Sequence, residues 1–263
     1  MPDGAVSLSA MDVIVFFGLL VATTSAVRGV WSPCGLSMLS SITPMAEAGR
    51  GNRFGRTASW FLVGAVFGGV SLGFIASLAA GAVGVIDPSD SVRWAIAGVL
   101  ALCTAGIDLG VFRVELPIFK RQVNDAWLRR YRSWVYGAGF GWQIGFGVAT
   151  YIMTAGVFLT IVLAVLTANP VAAVAIGATF GVVRGTAVFI GRSATTPGAL
   201  GAIHARLDAR SEASRLAAAG SQVLAATVLV GLGIGPVAGV VALGALAGAL
   251  VWQRGQVRTT APA

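Results

Sequence analysis

Long apolar runs separated by short polar gaps are the feature that most constrains how this chain of 263 residues can fold. A helix crosses the hydrocarbon core of a membrane with about 20 apolar residues, and the runs reach or exceed that length. Their apolar positions are continuous and do not alternate with polar ones, which argues against a transmembrane β-barrel. The sequence therefore predicts an all-α, polytopic membrane protein with about seven transmembrane helices. The runs cover residues 12–44, 57–83, 92–112, 134–168, 170–191, 214–235 and 237–252.

The charge composition supports this class. Only 11% of the residues are charged, whereas a soluble domain carries about 25%. A water-soluble globular protein and a disordered chain are therefore both excluded. The net charge of +8 comes from arginines in the gaps between runs, where basic residues set membrane topology. We expect no nucleic-acid partner.

The gaps alternate in sign, which predicts an orientation. Basic residues fill the odd gaps, at 50–56, 113–132 and 192–215, whereas the second gap carries Asp87 and Asp90. The positive-inside rule then places the N-terminus outside and the C-terminus in the cytoplasm, in a bacterial plasma membrane. One alternative stays open, because Pro236 could kink a single long helix and leave six spans.

The first and fourth runs are too long for straight transmembrane helices. A helix of about 33 residues is about 50 Å long, while the hydrocarbon core is about 30 Å thick. The first run contains Ser32-Pro33-Cys34-Gly35, and the fourth contains a cluster of five glycines at 137–147 with Gln143 among them. We therefore predict breaks near Ser32–Gly35 and near Gly141–Gly147, facing each other at the membrane midplane.

Interrupted segments at matching places in two halves of a chain indicate inverted repeats around a midplane site. The first repeat would cover residues 12–112 and the second 134–235, with 237–252 as an extra C-terminal helix.

Glycines at four-residue spacing form rows on several predicted helices. Such rows allow close helix contact in lipid, either within the molecule or between two copies. The rows are Gly64 and Gly68; Gly137, Gly141 and Gly145; Gly177, Gly181 and Gly185; and Gly244 and Gly248.

Among the charged residues inside apolar runs, three are candidate binding residues. An arginine at the centre of a membrane helix costs about 2.5–3.5 kcal/mol on insertion scales, so Arg28 and Arg184 should face a cavity or an acidic partner. Asp108, in the third run, is the candidate partner. The alternative is that the three form a purely structural pair or extend towards the headgroups.

The two cysteines, Cys34 and Cys103, are the candidate catalytic residues. Cys34 lies between Pro33 and Gly35, at a position where a break would expose its sulfur, whereas Cys103 lies in an apolar run and suits a small core residue equally well. The chain has no zinc motif and no phosphate-binding loop, so the sequence predicts neither a metal nor a cofactor.

The stretch Val30-Trp31-Ser32-Pro33-Cys34-Gly35-Leu36-Ser37 resembles the membrane domain of the CcdA/DsbD family. That resemblance implies a carrier that moves electrons across the membrane by thiol–disulfide exchange, with a thioredoxin-like donor inside and a thiol protein outside. The family has a second cysteine in the fourth helix, but here the equivalent positions are Gln143-Ile144. The resemblance therefore leaves Cys103, or a cysteine of a partner, to resolve the mixed disulfide formed by Cys34.

Three functions follow from these observations. The first is the thiol–disulfide carrier. The second is a transporter in which Arg28, Arg184 and Gln143 attract an anionic or polar solute to the broken helices. The third is a non-catalytic membrane assembly subunit.

Overall fold

The computed structural model describes residues 9–112 and 126–259, and their regular secondary structure is helical, as predicted. A 3-10 turn separates the first two helices, and another follows α9. In chain order the helices are α1 (Ala10–Arg28), α2 (Pro33–Ser41), α3 (Pro44–Gly49), α4 (Phe54–Ile86), α5 (Asp90–Asp108), α6 (Ala126–Arg130), α7 (Ser133–Phe146), α8 (Gly156–Leu166), α9 (Pro170–Thr186), α10 (Pro197–Gly233) and α11 (Pro236–Thr259).

Within the described residues, five segments are long and apolar enough to cross a membrane, which agrees with a polytopic membrane protein. Two shorter apolar helices, Gly156–Leu166 and Pro236–Ala249, lie in the runs that predicted the fourth and seventh spans. The structure thus supports a helical membrane protein. Among the described residues, five helical segments, and not the seven that were predicted, meet the length and composition expected of a membrane span. The five segments are Ala10–Trp31, Phe54–Ile86, Asp90–Asp108, Pro170–Ser193 and Pro197–Gly233.

Helix α4, with 33 residues, lies between α7 and α9 and contacts both through glycines. A Cβ on Gly141 of α7 would overlap the Phe61 carbonyl oxygen of α4, and a Cβ on Gly69 would overlap the Gly177 carbonyl oxygen of α9. Residues later in α7 contact residues later in α4, so these two helices are parallel. Residues later in α9 contact residues earlier in α4, so α9 is antiparallel to both.

The first three glycine rows therefore serve contacts within the molecule. The fourth row differs, because no atom of the described part of the chain lies within 4 Å of a Cβ built on Gly244 or Gly248.

Helices α5, α10 and α11 form a second antiparallel group. A Cβ on Gly98 of α5 would lie 2.6 Å from the Val230 backbone nitrogen of α10. Helix α10 ends at Gly233, and α11 folds back on it, so that a Cβ on Gly239 would lie 2.7 Å from the Thr227 carbonyl oxygen. Pro236 therefore begins a separate helix and does not kink a longer one.

Helix ends meet at two opposite ends of the bundle. At one end, which we call the Asp90 end, the Ala10 backbone nitrogen lies 3.4 Å from Asp90 Oδ2, and Arg93 reaches the last carbonyls of α8. At the other end, the Glu47 end, Glu47 joins α3 to the first turns of α4 and α7.

Both overlong runs are interrupted, but not at both predicted places. The first break covers residues 29–32 and lies next to the predicted Ser32–Gly35 position. The second break covers residues 147–155, because α7 continues through Gly141 and Gly145 to Phe146. The break predicted around Gly141–Gly147 thus begins only at its last residue, Gly147, because Gly141 and Gly145 make the close contact with α4 and remain helical.

Two basic gaps carry sequence patterns of their own. The charges of residues 205–216 lie on one helical face, which predicts that the sixth helix extends beyond its apolar run, and α10 is indeed a continuous helix of 37 residues. The apolar and basic residues at 115–133 predict an interfacial amphipathic helix, but most of that segment falls outside the described residues.

Candidate functional site

The first break is built by residues that suit a helix end followed at once by a new helix. Ser32 Oγ donates to the Gly29 carbonyl oxygen at 2.7 Å and accepts from the Gly35 backbone N–H at 3.1 Å, which caps α2. Pro33 is the first residue of α2, where its missing N–H costs no hydrogen bond. Cys34 follows it and is buried.

Arg184 of α9 enters this break and is buried. Its Nη1 lies 3.4 Å from the Ala26 carbonyl oxygen, and its Nη2 lies 3.4 Å from Ser32 Oγ. A Cβ on Gly29 would overlap Nη1, so the absence of a side chain at this position leaves space for the guanidinium. The carbonyl end of a helix carries partial negative charge, and the end of α1 therefore stabilises the buried cation.

The second break is organised by Asp108, the last residue of α5. Its Oδ1 accepts from the Ala155 backbone N–H at 2.7 Å, and its Oδ2 accepts from Gln222 Nε2 at 2.6 Å and from the Thr154 hydroxyl. Thr154 Oγ1 also accepts from the Gly156 N–H at 3.0 Å. Asp108 and Thr154 together cap α8, which begins inside the bundle.

Arg28 joins α1 to the polar part of α10. Its Nη1 donates to the Ser211 carbonyl oxygen and to Ser214 Oγ, both at 3.0 Å. The predicted ion pair with Asp108 is not formed by Arg28 or by Arg184, both of which the structure describes. Arg215 of α10 approaches Asp108 instead, but through the Asp108 backbone carbonyl, at 3.3 Å.

The predicted site residues are thus only partly brought together. Arg184, Pro33 and Cys34 meet at the first break, and Asp108 lies at the second. Gln143 is half-buried on α7 and takes no part in the hydrogen bonds of either break. Cys103 is exposed on α5, and no disulfide joins it to Cys34.

Gln222 and Glu47 are buried polar residues that the sequence did not predict as site residues. Gln222, fully buried on α10, supplies the amide at the second break. Its Oε1 and the nearby Ser25 Oγ are buried and lack a partner among the described residues. The sequence feature that could have identified Gln222 is the polar pair Ser221-Gln222 inside the apolar run 214–235.

The second unpredicted group is Glu47, whose side chain is fully buried at the Glu47 end. Its carboxylate accepts from Thr57 Oγ1 of α4 at 2.6 Å and from Tyr136 Oη of α7 at 2.6 Å. Arg50 Nη1 donates to it at 2.6 Å and also reaches the Ser41 carbonyl oxygen at the end of α2. Within residues 9–112 and 126–259, no group of three His, Cys, Asp or Glu side chains could hold a metal ion.

Comparison with known proteins gives the chain a different set of relatives from the predicted one. Curated proteins of 28–31% identity match more than half of the chain. They are methylamine utilization proteins. The MauF of Paracoccus versutus is 29% identical over 185 residues, which is 68% of this chain and 66% of that protein.

Two further MauF proteins match over similar lengths. That of Paracoccus denitrificans is 30% identical over 62% of this chain and 59% of its own length. That of Methylophilus methylotrophus is 30% identical over 69% of this chain and 65% of its own length. The chain thus spans 53–66% of the length of the relatives it matches. No family model matches the chain, and no solved structure matches it.

These findings overturn the resemblance to the CcdA/DsbD family and the functions based on it. The matching relatives are named for methylamine use, and the resemblance rested on one short Ser-Pro-Cys motif. The thiol–disulfide carrier was therefore the wrong prediction, and so was the transporter. The structure gives the motif another use, because Ser32 and Pro33 start α2 beside the end of α1.

Proposed function

We propose that this chain is a membrane-embedded accessory protein of methylamine utilization, which supports the production of active methylamine dehydrogenase without itself oxidising the amine. The observation that carries this proposal is the similarity to MauF proteins from several bacteria, at 28–31% identity over more than half of the chain. It retains one of the three functions considered from the sequence, the non-catalytic assembly subunit.

The use of the buried polar groups supports a non-catalytic role. Asp108 caps α8, Arg184 lies at the end of α1, and Glu47 joins α3 to α4 and α7. Most of the hydrogen bonds that each group makes are with the ends of the protein's own helices. These residues hold broken helices in place, and that is the work expected of a rigid membrane platform for another protein.

The membrane arrangement is part of the same proposal. We place seven crossing segments in a bacterial plasma membrane, with α7 and α8 together forming the fourth, the N-terminus outside and the C-terminus inside. The starts of α1 and α5 and the end of α8 meet at the Asp90 end, as this order of crossings requires. The repeats at 12–112 and 134–235 are supported by the pairing of α4 with α9, α5 with α10 and α1 with α8, since each pair joins equivalent helices.

Gene deletion in the source bacterium tests the proposal. The deleted strain should lose methylamine dehydrogenase activity and growth on methylamine as the nitrogen source, while growth on ammonium continues. Activity should return with the gene supplied in trans. Normal growth of the deleted strain on methylamine would contradict the accessory function.

The two cysteines provide a sharper version of this test. A gene encoding Cys34→Ser together with Cys103→Ser should restore methylamine dehydrogenase activity in the deleted strain, because the proposal assigns no chemistry to either thiol. Immunoblots should show membrane levels equal to those of the unchanged protein. Loss of activity at equal protein levels would show that a thiol is required after all.

A further inference from the structure

The first turns of α4 and α7 lie side by side, and both helices begin without a side-chain cap. Residue Arg53 precedes α4 and residue Arg132 precedes α7, and neither has a side-chain capping bond. Ser or Thr side chains cap α1, α2, α3 and α10, Asn169 caps α9, and Asp108 caps α8. Helix α5 also lacks a side-chain cap, but the residue before it is the neutral Ser89 and not a cation. Two neighbouring parallel helices thus begin with cations in place of the usual acceptors.

This arrangement concentrates positive charge. The N-terminus of a helix carries about half a positive charge, and two parallel helices place these partial charges together. Glu47 offsets them on the side that faces the bundle, through Thr57 and Tyr136. On the outward side, residues 53–60 and 130–136 contain no acidic residue.

The outward side forms a surface that we call the basic patch, made of Arg53, Arg56, Trp60, Arg132 and Trp134. All five residues are exposed. The rings of Trp60 and Trp134 lie 5.9 Å apart at their centroids, which joins the two helix starts. Among the residues that the structure describes, none lies within 4 Å of a Cβ on Gly55 at the start of α4.

The surface next to the basic patch is apolar. Along α4, Val63, Phe67 and Phe74 are 55%, 65% and 58% exposed and continue from the patch towards the Asp90 end. Arginine with tryptophan above a long apolar face is the pattern of a membrane interface, where aromatic rings lie at headgroup depth. A soluble acidic protein would match the arginines and leave this apolar face uncovered.

We propose that the basic patch binds the headgroup of an anionic phospholipid, with its phosphate on Arg53, Arg56 and Arg132 and its acyl chains along the exposed face of α4. Guanidinium groups bind phosphate oxygens in a two-point geometry, and free helix N–H groups add further donors. Two adjacent helix starts suit a lipid with two phosphates, so cardiolipin should bind more tightly than phosphatidylglycerol. The proposal depends on the protein being in a membrane and is independent of its role in methylamine use.

Lipid binding to the purified full-length protein in detergent tests this site. Native mass spectrometry should show cardiolipin bound to the unchanged protein, and added cardiolipin should raise its Tm, whereas phosphatidylcholine should do neither. In the double variant R56Q/R132Q, cardiolipin affinity should fall about 30-fold, from the loss of two arginines at the surface. Circular dichroism and gel filtration establish that the variant is folded.

The matched control is R206Q/R210Q, which removes two exposed arginines from α10 and leaves the basic patch intact. Its cardiolipin affinity should stay within about twofold of the unchanged protein. Equal losses in the two variants would overturn the site, because binding would then reflect net charge alone. A Tm increase produced equally by inorganic phosphate would also overturn it, since the acyl chains would then contribute nothing.

Discussion

Arginine side chains satisfy carbonyl groups at the ends of helices that stop inside this protein. Arg50 donates to the Ser41 carbonyl oxygen from both Nη atoms at 3.0 Å, and Arg93 donates to the carbonyl oxygens of Leu166 and Thr167. Such carbonyls have no partner within their own helix. A guanidinium has five donors in a fixed fork and stays charged, whereas a lysine offers a single point of charge. This use is consistent with the presence of 17 arginines and one lysine.

At the residue scale, Glu47→Gln should be strongly destabilising. The carboxylate is fully buried and accepts from Thr57, Tyr136 and Arg50. The neutral amide weakens these bonds and leaves the Arg50 cation, whose side chain is 26% exposed, without its partner, a loss of about 2 kcal/mol. Thermal unfolding in detergent measures the effect as a lower Tm.

Glu212→Gln is the control for this change. Glu212 also pairs with an arginine three residues away, Arg215, but its side chain is 65% exposed. An exposed pair contributes about 0–1 kcal/mol, so this variant should unfold close to the unchanged protein. Equal Tm values for the two variants would contradict the importance given to burial of Glu47.

The candidate site shows where residue-scale prediction succeeds and where it does not. Arg28, Arg184 and Asp108 were identifiable because a charge inside an apolar run needs a partner. The partners themselves were not identifiable, since Gln222 and Gln143 look alike in the sequence and only helix rotation decides which one faces inward. Glu47 was missed because it lies in a gap full of arginines, where a carboxylate is expected to be solvated.

At the scale of elements, Gly69→Ala should weaken the contact between α4 and α9. A methyl group there would overlap the Gly177 carbonyl oxygen, which belongs to the backbone and cannot move aside. Overpacking of this kind costs about 1–3 kcal/mol. Unfolding by heat in detergent should show a lower Tm than in the unchanged protein.

Gly81→Ala, in the same helix, is the matched control. The atom closest to its added methyl would be Pro170 Cγ at 3.9 Å, an ordinary contact. Alanine favours helix over glycine by about 1 kcal/mol, so this variant should be as stable as the unchanged protein or slightly more stable. A similar loss of stability in both variants would contradict the specific role of Gly69.

Glycine spacing predicted helix contacts correctly where the spacing has only one physical explanation. Glycines four residues apart have no use in a lone helix, so the rows on α4, α7 and α9 predicted close contact correctly. The same glycines misled the prediction of the second break. Glycine can both interrupt a helix and let another approach it, and the sequence alone does not distinguish these uses. The break lies instead at residues 147–155, where Asp108 and Thr154 supply a new helix start.

At the scale of the whole molecule, the proposed orientation predicts opposite labelling at the two ends. In a background with both native cysteines replaced by serine, Ser89→Cys should react with a membrane-impermeant maleimide in intact cells. Thr195→Cys should react only after the membrane is opened, because it lies in a gap rich in arginine. Both residues are exposed, so burial does not limit labelling.

The reverse pattern would place the arginine-rich end outside and contradict the proposed orientation. Labelling of both positions in intact cells would show that Ser89 and Thr195 lie on the same side, and would contradict the order of crossings. Mass tags on gels quantify both reactions.

Fold class follows from bulk properties of the chain, and function does not. Run length and scarcity of charge are averages over many residues, so the prediction of a helical membrane protein was robust. The predicted function depended on three residues, Ser32-Pro33-Cys34, whose pattern also serves simply to start a helix after a break. Similarity spread over 157–193 residues is the stronger guide.

The break at residues 29–32 also affects the order in which the protein reaches its final form during synthesis. Arg184, which lies at the end of α1, follows Ala26 by 158 positions in the chain. At about 5–20 residues per second, the ribosome makes it roughly 8–32 s later. Throughout that interval the last carbonyl groups of α1 must be satisfied by water, lipid headgroups or the insertion machinery. The first helix therefore enters the membrane early but is fixed in place only when the ninth arrives beside it.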